Sequence, residues 1–273
     1  MNKVINNSLP VTRKAHFKDA LRNRWRLIFE CVFMLIIGFL LIFLCFFARN
    51  LVVGSMQFNE TYYVDGVLTV DGEKLLKTTE LITLGSITIL SFVFSVTLSG
   101  TIYIIKKICW SEGVQFFYLF KTGIKQNYKT TSLIIFAMFL LFDMNYILFL
   151  VNANFLIIAV VLAISVLILF PFLLMGLFYS SIYIVNLKQF IKNTSILTLK
   201  SYLFSLGLSI LILGFLFVTF YVFNNPIILS ILAIIAGLSS GFIMLMMYEY
   251  YMFIFDKYIN SISHKELYRK GLY

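Results

Sequence analysis

The chain has 273 residues, of which 61% are hydrophobic and only 12% charged, with 30 phenylalanines and a formal net charge of +10. That balance excludes a soluble globular domain. Nucleic-acid binding is excluded as the source of the positive charge too, because the lysines and arginines flank apolar stretches, where they hold loops against anionic lipid headgroups.

Residues 1–26 are a basic cytoplasmic arm. After Pro10, the residues Phe17, Leu21, Trp25 and Ile28 recur at steps of three or four, while Arg13, Lys14, Lys18, Arg22, Arg24 and Arg26 occupy the remaining positions. The pattern predicts an amphipathic interfacial helix with a Trp anchor. It serves either as a basic tether or as an elbow helix packed on a partner.

Six apolar stretches follow: Leu27 to Phe47, Leu81 to Ile105, Ser132 to Val151, Phe155 to Phe178, Tyr202 to Phe223 and Ile227 to Phe255. Each approaches or exceeds the roughly 20 residues that a helix needs to cross a hydrocarbon layer of ~30 Å. Of the 22 basic residues, all but Arg49, Lys74 and Lys77 fall on one set of alternate gaps. By the positive-inside rule both termini are cytoplasmic. The expected fold is an all-α integral membrane bundle of six transmembrane helices over residues 27–258, with a cytoplasmic tail at 259–273. The first stretch is too long for the apolar core of a cleaved signal peptide and should remain in the membrane. No disulfide is expected, because Cys31, Cys45 and Cys109 provide no pair on the outer side. Abundant Ile, Lys, Asn and Phe suggest a bacterium of AT-rich genome, hence a bacterial cell membrane.

The outer loop, residues 48–80, is the one long external gap. Thr61 to Val64 and Val67 to Val70 are β-forming runs around Asp65-Gly66, a pair suited to a type I′ turn, and Asp71-Gly72 is expected to end the second strand. The reading is a small extracellular β-hairpin, either an inert cap or a contact surface.

Two basic gaps share a Lys-x-x-Ile-Lys pattern, Lys121 to Lys125 and Lys188 to Lys192. In a helix the two lysines of each pair lie on one face. Phe117, Ile124 and Ile191 add apolar side chains that a loop in water has little reason to expose. Partner docking is therefore expected at Phe117, Lys121, Ile124, Lys125, Lys188, Ile191 and Lys192, with lipid anchoring as the alternative. The two gaps would also suit a duplicated hairpin.

Within the spans, Asp143 lies near the bilayer middle with Asn145 beside it, so the two form a candidate intramembrane polar site: a proton or cation site, or a helix-to-helix hydrogen bond. Glu30 and Glu249 sit nearer the basic interface, where pairing would make them ordinary. Pro171 should kink the fourth span, and Ser239-Ser240-Gly241 should allow close helix approach in the sixth. There is no GxxxxGK[ST], HExxH, GxSxG or CxxC, and the histidines are His16 and His264 only. No enzyme, cofactor or metal site is expected. Any ATP-driven transport would require a separate nucleotide-binding subunit.

Three stretches resemble the YesL-like family of bacterial six-span membrane proteins. They are Gly100 to Lys107 (GTIYIIKK) leading through Phe116 to Lys121 (FFYLFK) and Lys125 to Lys129 (KQNYK), then Phe170 to Leu174 (FPFLL) with Asn186 to Leu199, and Phe253 to Tyr258 (FIFDKY). Together they cover roughly residues 81–258. The long outer loop departs from the family, which has a short turn there. The resemblance implies no catalytic residues. It implies an accessory or regulatory subunit beside a carbohydrate ABC importer, so the expected partners are the lipid bilayer and other transporter subunits. The alternative is a permease subunit of an ABC-2-type exporter, with the arm as elbow helix and Val114 to Tyr128 as a coupling helix.

Overall fold

The computed structural model describes residues 12–64, 67–113, 115–221 and 226–272, and most of them are helical. The first helix, α1 (Arg13–Asn23), is capped by Thr12, whose hydroxyl accepts the Ala15 N–H at 3.2 Å. It ends at Arg24, where φ of −125° and ψ of 17° leave the helical region, and α2 (Trp25–Met56) begins one residue later. The expected amphipathic helix is thus divided. Phe17 and Leu21 belong to α1, Trp25 and Ile28 to α2. The buried residues of α1 are Arg13, His16 and Ala20, so polar contacts set its direction as much as the apolar stripe does.

The outer loop is shorter than expected. A two-stranded hairpin, β1 (Tyr63–Val64) with β2 (Val67–Leu68), stands between α2 and α3 (Val70–Cys109), with Tyr63 opposite Leu68 and Val64 opposite Val67. The Asp65-Gly66 turn lies outside the described residues. Asp71 and Gly72 do not end a strand: they form the first turn of α3, because the Thr69 hydroxyl caps the Gly72 N–H at 3.1 Å. Arg49 and Glu80, read from sequence as loop residues, are buried within α2 and α3. Arg49 Nε donates to Glu80 Oε1 at 2.9 Å and Nη1 donates to Asn50 Oδ1 at 2.7 Å. Pairing both charges lets the two helices extend past the apolar stretches.

After α3 the chain reverses into α4 (Phe116–Leu150), which packs along α3. Their approach needs glycine: a Cβ on Gly123 would lie 2.5 Å from the Tyr103 Cβ and 3.1 Å from the Gly100 Cα. The fourth rod consists of α5 (Phe155–Ile164), a π-helical turn at Ser165–Leu169 and α6 (Phe170–Ile182). The widened turn immediately precedes Pro171, where the ring would otherwise clash with a preceding carbonyl. The predicted distortion is therefore a π-bulge.

Next, α7 (Leu187–Lys200) and α8 (Tyr202–Tyr221) meet at 92°, with described residues of α8 running to Gly214 in that pair. The last long helix is α9 (Pro226–Phe255), followed by a π-helical turn at Asp256–Asn260, the short α10 (Ser261–Ser263) and the tail. Gly241 provides the close approach expected of its cluster, since a Cβ there would lie 2.6 Å from Val32 Cγ2.

Among the described residues, five helices are long and apolar enough to cross a membrane, and the bent pair makes a sixth if it is one span. The chain is a multi-pass helical membrane bundle. Its ends meet. Arg13 reaches Asp256 and Lys270, and Tyr183, just after α6, reaches Asn260. The chain therefore leaves α6 at the same end of the bundle at which α9 finishes. As α9 spans about 45 Å at 1.5 Å per residue, α8 must carry the chain back to the far end first.

Candidate functional site

A buried polar network lies where α1 meets the tail, at the basic end of the bundle. It is built from α1, the turn after α3, the last turns of α9 and the tail. Arg13 is buried at its centre: Nη1 donates to the Cys109 carbonyl at 3.2 Å, and Nη2 donates to Asp256 Oδ2 at 2.8 Å and to the Lys270 carbonyl at 3.1 Å. Glu249 is a second anion, 3.6 Å from Nη1. Asp256 Oδ1 accepts from Asn260 Nδ2 at 2.9 Å and from the Arg269 N–H at 3.1 Å. Tyr183 donates its hydroxyl to Asn260 Oδ1 at 2.5 Å. Burial, and then the nearby Asp256 carboxylate, push the Tyr183 phenol well above its usual range, so it remains a donor.

His16 joins three segments. Its Nδ1 pairs with Glu249 Oε1, and its Nε2 lies 2.9 Å from Ser111 Oγ. A serine, a histidine and a carboxylate in this order have the connectivity of an activated nucleophile. Ser111 Oγ is 3.1 Å from the Gly271 carbonyl, an oxygen that only accepts, so the hydroxyl proton is given there. The tail covers the serine.

The tail fits closely. Gly271 has φ of +88°, and a Cβ there would stand 2.3 Å from the Cys109 carbonyl oxygen, so both its conformation and its space require glycine. Lys270 Nζ meets Glu112 at 2.8 Å and lies 4.0 Å from the Trp110 ring centroid, and Lys107 Nζ meets the same carboxylate at 2.5 Å. Partial burial raises the Glu112 pKa, but the hydrogen bonds from Lys107 and Lys270 outweigh it and hold the carboxyl below its usual range.

The intramembrane candidates do not converge. Thr88 Oγ1 donates to Asp143 Oδ2, tying α3 to α4. Asn145 Nδ2 instead donates to the Leu141 carbonyl at 2.7 Å and to Ser165 Oγ at 2.9 Å, in the π-bulge. Two positions apart on a helix, the residues lie on different faces. Each makes a helix-to-helix hydrogen bond, and among the described residues no group of three or more His, Cys, Asp or Glu could hold a metal ion.

The docking candidates divide. Lys121 and Lys125 are exposed on the first turns of α4, and Phe117 is 80% exposed. Lys188, Ile191 and Lys192 are exposed on α7. Ile124 is the exception: it is partly buried against the core, because it follows Gly123 into the α3 contact. Nor are the two segments equivalent, since the first continues straight into its span whereas the second turns through 92°. That difference weighs against a duplicated hairpin.

Sequence reasoning expected Glu249 to be paired, as it is with Arg13 and His16, but passed over Arg13, His16 and Asp256 as site residues, because their separations along the chain hide their convergence. No family model, curated protein or solved structure matches the chain.

Proposed function

We propose that the protein is an accessory or regulatory subunit of the bacterial cell membrane that docks on a transporter, of the carbohydrate ABC importer kind implied by the YesL-like resemblance, through its basic face. The observation that supports this is the surface itself: Phe117, Lys121 and Lys125 on α4, and Lys188, Ile191 and Lys192 on α7, are exposed on helices that both pack on α6. Phe117 at 80% exposure is a large aromatic left without cover beside two cations. The role is non-catalytic.

The alternative is an exporter permease with α1 as elbow and the Val114 to Tyr128 segment, which leads into α4, as coupling helix. Mild-detergent affinity purification with mass spectrometry separates the two readings. Recovery of solute-binding and permease subunits supports the accessory role, and a lone ATPase supports the exporter. Reversing Lys121, Lys125, Lys188 and Lys192 to glutamate should abolish recovery while membrane abundance is unchanged. Undiminished recovery would return these lysines to lipid anchoring.

A further inference from the structure

A groove of about 470 Å³ runs between α1 and the basic end of α9. Phe17, Met246, Tyr250 and Phe253 form its apolar wall, and Lys14 stands at its rim. Arg13 and Glu249 are at its floor, but their charges are already engaged with Asp256 and His16. The floor therefore attracts neither sign strongly.

The rim differs. Lys14 and Lys18 are exposed, one helical turn apart, and no carboxylate lies within ion-pair reach of either among the described residues. Lys14 at the rim of an apolar trough, with Lys18 exposed on the next turn of the same helix, matches an amphiphile with an anionic head and a hydrocarbon tail. In a multi-pass membrane protein that chemistry is present at the adjoining leaflet. Arg13, locked to α9 and to the tail, holds α1 and with it Lys14 at the trough.

We propose that this groove binds one anionic phospholipid of the adjoining leaflet, with its phosphate between Lys14 and Lys18 and an acyl chain along Phe17, Met246, Tyr250 and Phe253. The site is separate from the docking surface on α4 and α7. It would stand if that reading failed.

The test uses the full chain in mild detergent, equilibrated with equal phosphatidylglycerol and phosphatidylcholine and examined by native mass spectrometry. Wild type should retain one phosphatidylglycerol in preference to phosphatidylcholine. Lys14→Gln with Lys18→Gln should weaken retention by about 30-fold, from the typical contribution of a basic residue near an anionic surface. Both side chains are exposed, so the thermal midpoint of the double variant should match wild type. Met246→Trp, which fills the trough and keeps the lysines, should displace the lipid too, and Lys188→Gln with Lys192→Gln should leave it bound. Equal retention of the two lipids, or phosphatidylglycerol retention indifferent to Lys14 and Lys18, would overturn the proposal. So would lysine-dependent binding of glycerol phosphate as tight as that of the lipid, which would identify a soluble phosphate as the occupant.

Discussion

Arg13 shows how far a residue's role can lie from its sequence context. In the sequence it is one of seven cations on a basic arm, indistinguishable from Lys14 or Arg22. In the structure it is buried, with hydrogen bonds to Asp256 and to two carbonyls. Removing a partner from a buried ion pair leaves an uncompensated charge, which costs about 3–5 kcal/mol. Asp256→Ala should therefore lower the thermal midpoint of the detergent-solubilised protein and free the tail to protease, because the Arg269 N–H and Asn260 lose their acceptor at the same time. Arg22→Ala, exposed and without such partners, should do neither. Glu112 supplies the pH dependence. Its folded pKa is depressed, so the stability it contributes is complete above the ordinary glutamate range and is lost as pH falls through the lower folded value. Proteolysis of the tail should rise across that acidic window in wild type. Glu112→Gln should flatten the profile, with a small effect at neutral pH because the carboxylate is one-third exposed.

Elements were legible where one physical signal dominated. Apolar length located the spans, and Pro171 marked the distortion that the π-bulge realises. The ends of α2 and α3 were not legible, because charged residues that read as loop are paired inside the bundle, as Arg49 and Glu80 are. The division of the arm at Arg24 was hidden for a related reason: α1 is held by Arg13 and His16, whose partners lie more than 90 residues away in sequence. Packing of α3 on α4 depends on Gly123 more than on any span-scale hydrophobicity. Gly123→Leu should separate the two helices, since its Cβ alone would stand 2.5 Å from the Tyr103 side chain and 3.1 Å from the Gly100 Cα. The expected result is low membrane abundance with aggregation on solubilisation. Gly54→Leu, where a Cβ would meet nothing within 4 Å, should be tolerated.

At the scale of the whole molecule, the meeting of α1 with the tail links the two chain ends and fixes the parity of the passages. An odd number would put Arg13 and Asp256 on opposite faces of the bundle. Six passages with the basic end cytoplasmic, the arrangement proposed for this chain, would also account for the placement of all but three of the basic residues. The candidate site was the least legible part, because a polar network drawn from both termini leaves no local motif. Labelling of single cysteines in a cysteine-free background tests this account most directly. Cysteines at Tyr63 and Asn152 should react with an impermeant maleimide in intact cells, whereas those at Lys125, Lys192 and Lys265 should react only after permeabilisation. Labelling of Lys192 or Lys265 from outside would contradict the six passages and the basic cytoplasmic face together.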